Sequence, residues 1–126
     1  MDQKKALIYC RAALPDMNAL EMQKKHLLAY AEAQGFVVVD IVSESGSGLD
    51  YSREGLREVL ALVEDGEVDI LLIKSLCRLG RSIEKTDALL YRLKECDVKV
   101  VCADGTEPYT SLEIFNSLLQ HYQASL

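Results

Sequence analysis

Apolar and β-branched residues gather in four short runs: Lys5–Arg11 (KALIYCR), Phe36–Val42 (FVVVDIV), Val68–Lys74 (VDILLIK) and Val98–Ala103 (VKVVCA). Continuous runs of this length predict strands covered on both faces. Between them the apolar positions return at helical spacing. Over Asp16–Gln34, Leu20, Leu27, Leu28 and Ala31 share one stripe, and Gly35 is placed to close the helix. Over Ser52–Asp65 the stripe is Leu56, Val59, Leu60 and Val63, with Gly66 as the stop. Ser82 is placed to cap a third helix with Ile83, Leu90 and Leu93 inward. Thr110-Ser111-Leu112-Glu113 has the capping-box pattern and predicts a further helix with Ile114, Leu118 and Leu119 inward. Strand and helix alternate, which predicts an α/β fold of three layers: a mainly parallel sheet with helices on both faces.

In such folds ligands sit beyond the carboxyl ends of the strands. That rule singles out 11–15, 43–53 and 75–82, which all carry arginine together with small or hydroxyl residues. Pro15 and Pro108 punctuate loop-to-helix junctions, and 43–52 is the one connection long enough to move.

Composition narrows the picture. With 126 residues, 49% of them hydrophobic, 1–126 has material for one compact domain and is too short for two. No stretch approaches the roughly 18 apolar residues of a membrane span, so a cytoplasmic protein without a membrane partner is expected. Cys10, Cys77, Cys96 and Cys102 lack CxxC spacing, and His26 and His121 stand at no ligand-like interval from them. Reduced thiols are expected, with no metal and no cofactor, and both histidines read as surface residues without a role.

A net charge of −6 argues against coating nucleic acid by bulk electrostatics. The window 74–85 runs the other way. Lys74, Arg78, Arg81 and Lys85 face Glu84 alone there, which leaves the remainder of this −6 chain at about −9.

Arg11, Arg53, Arg78 and Arg81 fall at predicted strand ends, where guanidinium forks can clamp a phosphodiester. Spacing alone equally allows them to be solvated, or paired with some of the 20 acidic residues. Gln23 shares the stripe of Leu20 and Leu27, which places its amide either at a site or, more commonly, against backbone. Ser45, Gly46, Ser47, Gly48 and Ser52 form a loop whose backbone donors can cradle an anion, or which is merely flexible.

The ordered set of motifs resembles the catalytic domain of the serine recombinases, the resolvase/invertase family, over about residues 5 to 106. Tyr9-Cys10-Arg11-Ala12-Ala13 is similar to the family's Tyr-x-Arg-x-Ser, and Leu20-Glu21-Met22-Gln23 to its Leu-x-x-Gln. Ser47-Gly48 followed by Arg53-Glu54-Gly55-Leu56 is similar to its Ser-Gly loop and Arg-Pro-Gly-Leu. Val68-Asp69 and then Ser75-Leu76-Cys77-Arg78-Leu79-Gly80-Arg81-Ser82 resemble Val-Asp and Leu-Asp-Arg-Leu-Gly-Arg-Ser, the strongest match.

The resemblance implies a resolvase-like fold and a reaction in which serine attacks a DNA phosphodiester, arginines stabilise the transferring phosphoryl group and no metal takes part. It implies that Arg11, Arg53, Arg78 and Arg81 bind DNA phosphate, with Gln23 and Ser47 supporting the pocket. Two departures matter. The family's nucleophile falls on Ala13, which has no atom to attack phosphorus, and the family's aspartate falls on Cys77. One substitution suits a deliberate knockout; two suit natural decay. Cys10 alternates to the other side of the strand from Arg11, and phosphothioester chemistry at Cys77 would be unusual on DNA.

The resulting expectation is a site-specific recombinase-like domain that keeps DNA-phosphate binding and does not cleave. It lacks the long dimerisation helix and DNA-binding domain usual in the family, so its hold on DNA is weak or depends on a missing domain. The alternatives are a fragment of an active recombinase with an engineered serine-to-alanine change, and an interaction module. The latter would use its last helix to pair with its own copy or with another recombinase. A free anion or nucleotide as ligand is the minor option, since no Walker-type loop and no GxGxxG follows the first strand.

Overall fold

The computed structural model describes residues 3–108, 113, 114, 116 and 118–120. Its elements in chain order are β1 (Lys5–Ala12), α1 (Met17–Gln34), β2 (Val37–Ser45), α2 (Glu54–Glu64), β3 (Ile70–Ile73), a 3₁₀ turn (Leu76–Arg78), α3 (Ile83–Glu95) and β4 (Lys99–Cys102). The strands form one sheet in the order β2-β1-β3-β4, and every pairing is parallel. The expected α/β architecture is therefore the observed one.

Alternation along β1 divides the core. Ala6, Ile8, Cys10 and Ala12 pack with Leu20, Leu27 and Ala31 of α1 on one face. Leu7 and Tyr9 pack with Leu56, Val59 and Val63 of α2 and Leu89, Leu90 and Leu93 of α3 on the other. The central strands are thus sealed on both sides, which is why their sequences read as unbroken apolar runs.

The caps follow from local chemistry. Asp16 accepts the backbone N–H of Ala19 at 3.0 Å, and Gly35 ends α1 at φ 77°, in the left-handed region glycine enters freely. Ser82 accepts Lys85 N at 3.2 Å and starts α3.

Four expectations need correction. Strand β2 continues to Ser45, so the connection begins at Gly46 rather than Ser43. Helix α2 starts at Glu54 rather than Ser52, because the Ser52 hydroxyl donates to Asp50 at 2.6 Å while Glu44 Oε1 takes the Gly55 N–H at 2.8 Å from outside the helix. Ile83, expected inward, is 75% exposed, since α3 turns Thr86, Leu89, Leu90 and Leu93 to the core instead. Residues 113, 114, 116 and 118–120 are helical, but Ile114, Leu118 and Leu119 are exposed rather than inward. Thr110, Ser111 and Leu112 of the capping-box expectation, and His121, lie outside the described residues.

Candidate functional site

Three connections meet at the carboxyl edge of the sheet: 13–16 after β1, 46–53 after β2 and 74–82 after β3. Arg11 alternates with Ala12, so its side chain leaves β1 toward the α2/α3 face and runs beneath the other two loops. It is buried, and each guanidinium nitrogen donates to a carbonyl: Nε to Arg78 at 2.9 Å, Nη1 to Gly46 at 2.8 Å and Nη2 to Cys77 at 2.8 Å. Burial, then the positive charge of Arg53, lowers the pKa of Arg11, with Arg78 acting in the same direction. These cations therefore do gather.

Arg53 is used in the same way. Its Nη1 donates to the carbonyls of Ser47 and Asp50 at 2.8 and 2.6 Å, and its Nη2 to that of Leu79 at 2.6 Å. Its Nε donates to the Tyr9 hydroxyl at 3.2 Å and lies 3.5 Å from Glu44 Oε2. Tyr9 donates in turn to Glu44 at 2.6 Å, and burial followed by that bond raises the phenol's pKa. Neither sequence alternative for these two arginines holds in full. Arg11 is neither solvated nor paired with an acid, and Arg53 has one acidic neighbour but gives most of its donors to backbone.

Gly46, Leu49, Asp50 and Ser52 of the 46–53 loop spend their backbone N–H groups within the protein. Gly46 N donates to Ala12 O at 2.9 Å, Leu49 N to Ser47 Oγ at 3.1 Å, Asp50 N to Ser47 O at 3.2 Å and Ser52 N to Asp50 Oδ1 at 2.9 Å. What the loop turns toward the arginines is carbonyl oxygen. Gly48 lets it come close, since a Cβ there would lie 2.8 Å from Arg81 Cγ and 3.2 Å from Arg11 Nη2. Tyr51 fastens the far end: its hydroxyl accepts Ser82 N at 3.0 Å and lies 2.7 Å from Thr86 Oγ1.

Gln23 is buried and bonded to the backbone of Arg11 on both sides. Arg78 is half-buried; its Nη1 donates to Arg11 O at 3.0 Å, while its Nε is buried and has no hydrogen-bond partner. Arg81 is exposed and its backbone N–H donates to Gly48 O at 2.8 Å. Cys77 is exposed, with its thiol 3.1 Å from Ser75 Oγ. Direct bonds thus link Arg11 to Gln23, Arg78 and the Cys77 carbonyl, and separately Arg53 to the Ser47 carbonyl. Ala13 stays at the exposed rim, two residues past Arg11. Sequence reasoning missed Glu44 and Tyr51, and quoted Tyr9 only within a motif. The one signal for that polar group was a tyrosine inside an otherwise aliphatic run.

Among the described residues no helix is long and apolar enough to cross a membrane, and no three His, Cys, Asp or Glu side chains are grouped to hold a metal ion.

The family profile described as "Resolvase, N terminal domain" matches residues 6–125. The chain belongs to the resolvase N-terminal domain family. Among solved structures, this resolvase domain is similar to the C-terminal catalytic domain of ISC1926 TnpA, an IS607-like serine recombinase. The two are 30% identical with a TM-score of 0.75, over 92% of this chain and 78% of that one. It shares its fold with the N-terminal catalytic domain of TP901-1 integrase, at 24% identity, TM-score 0.77, and coverage of 96% and 95%. A resolvase family site-specific recombinase from Streptococcus pneumoniae has the same fold at 18% identity, TM-score 0.76, and coverage of 98% and 90%. The domain is a serine recombinase catalytic domain by family.

Proposed function

We propose that this serine recombinase domain grips DNA phosphate but does not cut DNA. The observation that carries the reading is the state of the arginines on the 74–82 loop. Arg78 has an unpartnered Nε, and Arg81 is exposed at the carboxyl edge of the sheet. Ala13, the family's nucleophile position by motif, offers only a methyl group at the same edge. Arg11 and Arg53, occupied by carbonyls, hold the two loops in register and add positive potential from beneath. Phosphate contact therefore falls first on Arg78 and Arg81.

The test is duplex binding as a function of salt. The unaltered protein should bind a short duplex with affinity falling steeply as salt rises, without forming a covalent adduct. Arg78→Ala with Arg81→Ala should abolish binding and flatten the salt slope. Unchanged binding by that variant, or a covalent adduct with the unaltered protein, would overturn the proposal. Strand cleavage by Ala13→Ser, with or without Cys77→Asp, would show that only the nucleophile is missing.

One observation favours a second reading, an interaction module. Ile83 and Ile114, 75% and 49% exposed, line one groove beside Arg81, and Leu118 and Leu119 are exposed as well. A copy of this chain or another recombinase is the partner such a surface fits. A strict monomer at high concentration in sedimentation would count against self-pairing.

A further inference from the structure

We propose that the outer edge of β2 is a strand-pairing surface for a second copy of this chain, and that the Asp40 carboxylate holds it shut by occupying the Ile41 N–H. Neither phosphate binding nor the groove beside Ile83 is involved.

In the strand order β2-β1-β3-β4, β2 is outermost, and among the described residues no strand pairs with its far side. The parallel ladder gives each backbone group a side. Ala12 opposes Ser45 and its carbonyl accepts the Gly46 N–H at 2.9 Å, so Gly46 faces β1. Alternation then turns Ile41, Ser43 and Ser45, the residues opposite Ile8, Cys10 and Ala12, to the open side. An edge of this kind is a template for a further strand. Its sequence suits one. Phe36–Val42 is aromatic or β-branched except at Asp40, the run's one charge, and Val37 and Val39 are 40% and 43% exposed.

Two features stand against pairing. Val38 opposes Ala6 while Asp40 opposes Leu7, so Val39 is an extra residue that breaks the regular edge near its start. Asp40 Oδ1 then accepts the Ile41 N–H at 2.8 Å. That donor faces the open side, where a neighbouring strand would otherwise supply the acceptor.

The edge is complementary to itself. Antiparallel pairing about a two-fold axis at Ser43 sets Ser43 against its own counterpart and Ile41 against Ser45, all of them residues with outward N–H and C=O groups. The same register sets Asp40 against Gly46 and Glu44 against Val42, so no two carboxylates face each other. The Ile41 N–H is needed at both ends of that ladder, and Asp40 takes it at both. Removing the carboxylate returns one donor per chain and completes the ladder.

Asp40 is exposed, so Asp40→Ala should keep the fold's amide spectrum. Sedimentation of the full chain is expected to show self-association about tenfold or more tighter in Asp40→Ala than in the unaltered protein. Asp40→Val, a better strand former that also lacks an acceptor, should behave in the same way. Hydrogen exchange locates the contact: the amides of Ile41, Ser43 and Ser45 should gain protection as the variant's concentration rises, and those of Ile83 and Ile114 should not. Asp40→Asn loses the charge but keeps an oxygen that can accept Ile41 N–H, so it should associate no more than the unaltered protein. The proposal is overturned if neither Asp40→Ala nor Asp40→Val associates more tightly, if the protection falls outside 41–45, if Asp40→Asn associates as tightly as Asp40→Ala, or if the unaltered protein already protects these amides on concentration.

Discussion

The side chain of Gln23 closes a two-bond ring with the backbone of Arg11: its Oε1 accepts Arg11 N at 3.1 Å and its Nε2 donates to Arg11 O at 3.2 Å. Helix α1 thereby extends the hydrogen bonding of β1 beyond what its neighbouring strands supply, at the residue whose guanidinium binds both loops. Gln23→Leu keeps the volume but leaves both groups of Arg11 without this partner. A loss of about 1–3 kcal/mol is expected in urea unfolding. An unchanged midpoint would show that the ring contributes nothing.

Arg53 binds three carbonyls, one phenol and one carboxylate, so its removal should be among the most destabilising single changes. Arg53→Ala is expected to cost about 3–5 kcal/mol, as breaking a buried charged network does. Arg53→Lys should recover little of it, because an ammonium cannot reproduce the planar fork. Full stability in the lysine variant would refute the importance of that fork.

A Cβ added at Gly80 would lie 2.0 Å from the Tyr51 hydroxyl and 2.1 Å from its Cζ. Gly80→Ala should therefore destabilise by about 1–3 kcal/mol and raise amide exchange in 46–53. In a Tyr51→Ala background the same change should cost much less. Additive costs in that double-mutant cycle would place the strain elsewhere.

Burial pushes the Cys10 thiol from 9.0 up to about 11, and the Cys102 thiol likewise to about 11. For an acid held protonated in the folded state, the unfolded chain releases its proton first as pH rises. The stabilisation is whole below pH 9 and is lost as pH climbs from about 9 to 11. Stability of the native protein should fall across that window more steeply than that of Cys10→Ala. Parallel curves would deny Cys10 its share.

The exposed Cys77 should react first with a thiol reagent, ahead of half-buried Cys96 and well ahead of Cys10 and Cys102. If duplex DNA covers the 74–82 loop, it should slow labelling of Cys77 and leave Cys96 unaffected. Equal labelling rates with and without bound DNA would place the duplex elsewhere.

The sequence by itself determined the element order and the sandwich of sheet between helices. Short apolar runs alternating with 3.6-residue stripes admit few other ways to be buried, and Asp16, Gly35 and Ser82 act through their own backbone neighbourhoods. It also marked Arg11, Gln23, Arg53, Arg78 and Arg81, because they lie at strand ends and on one stripe. What those groups bond to was a matter for the tertiary structure alone. Arg11 meets partners 35 and 67 residues away at Gly46 and Arg78, and no local period encodes such pairings. The same holds for the choice of carbonyls over solvent and for Glu44 as the outside cap of α2. Each depends on which loop lies over which strand end, and packing decides that only after the chain has closed on itself.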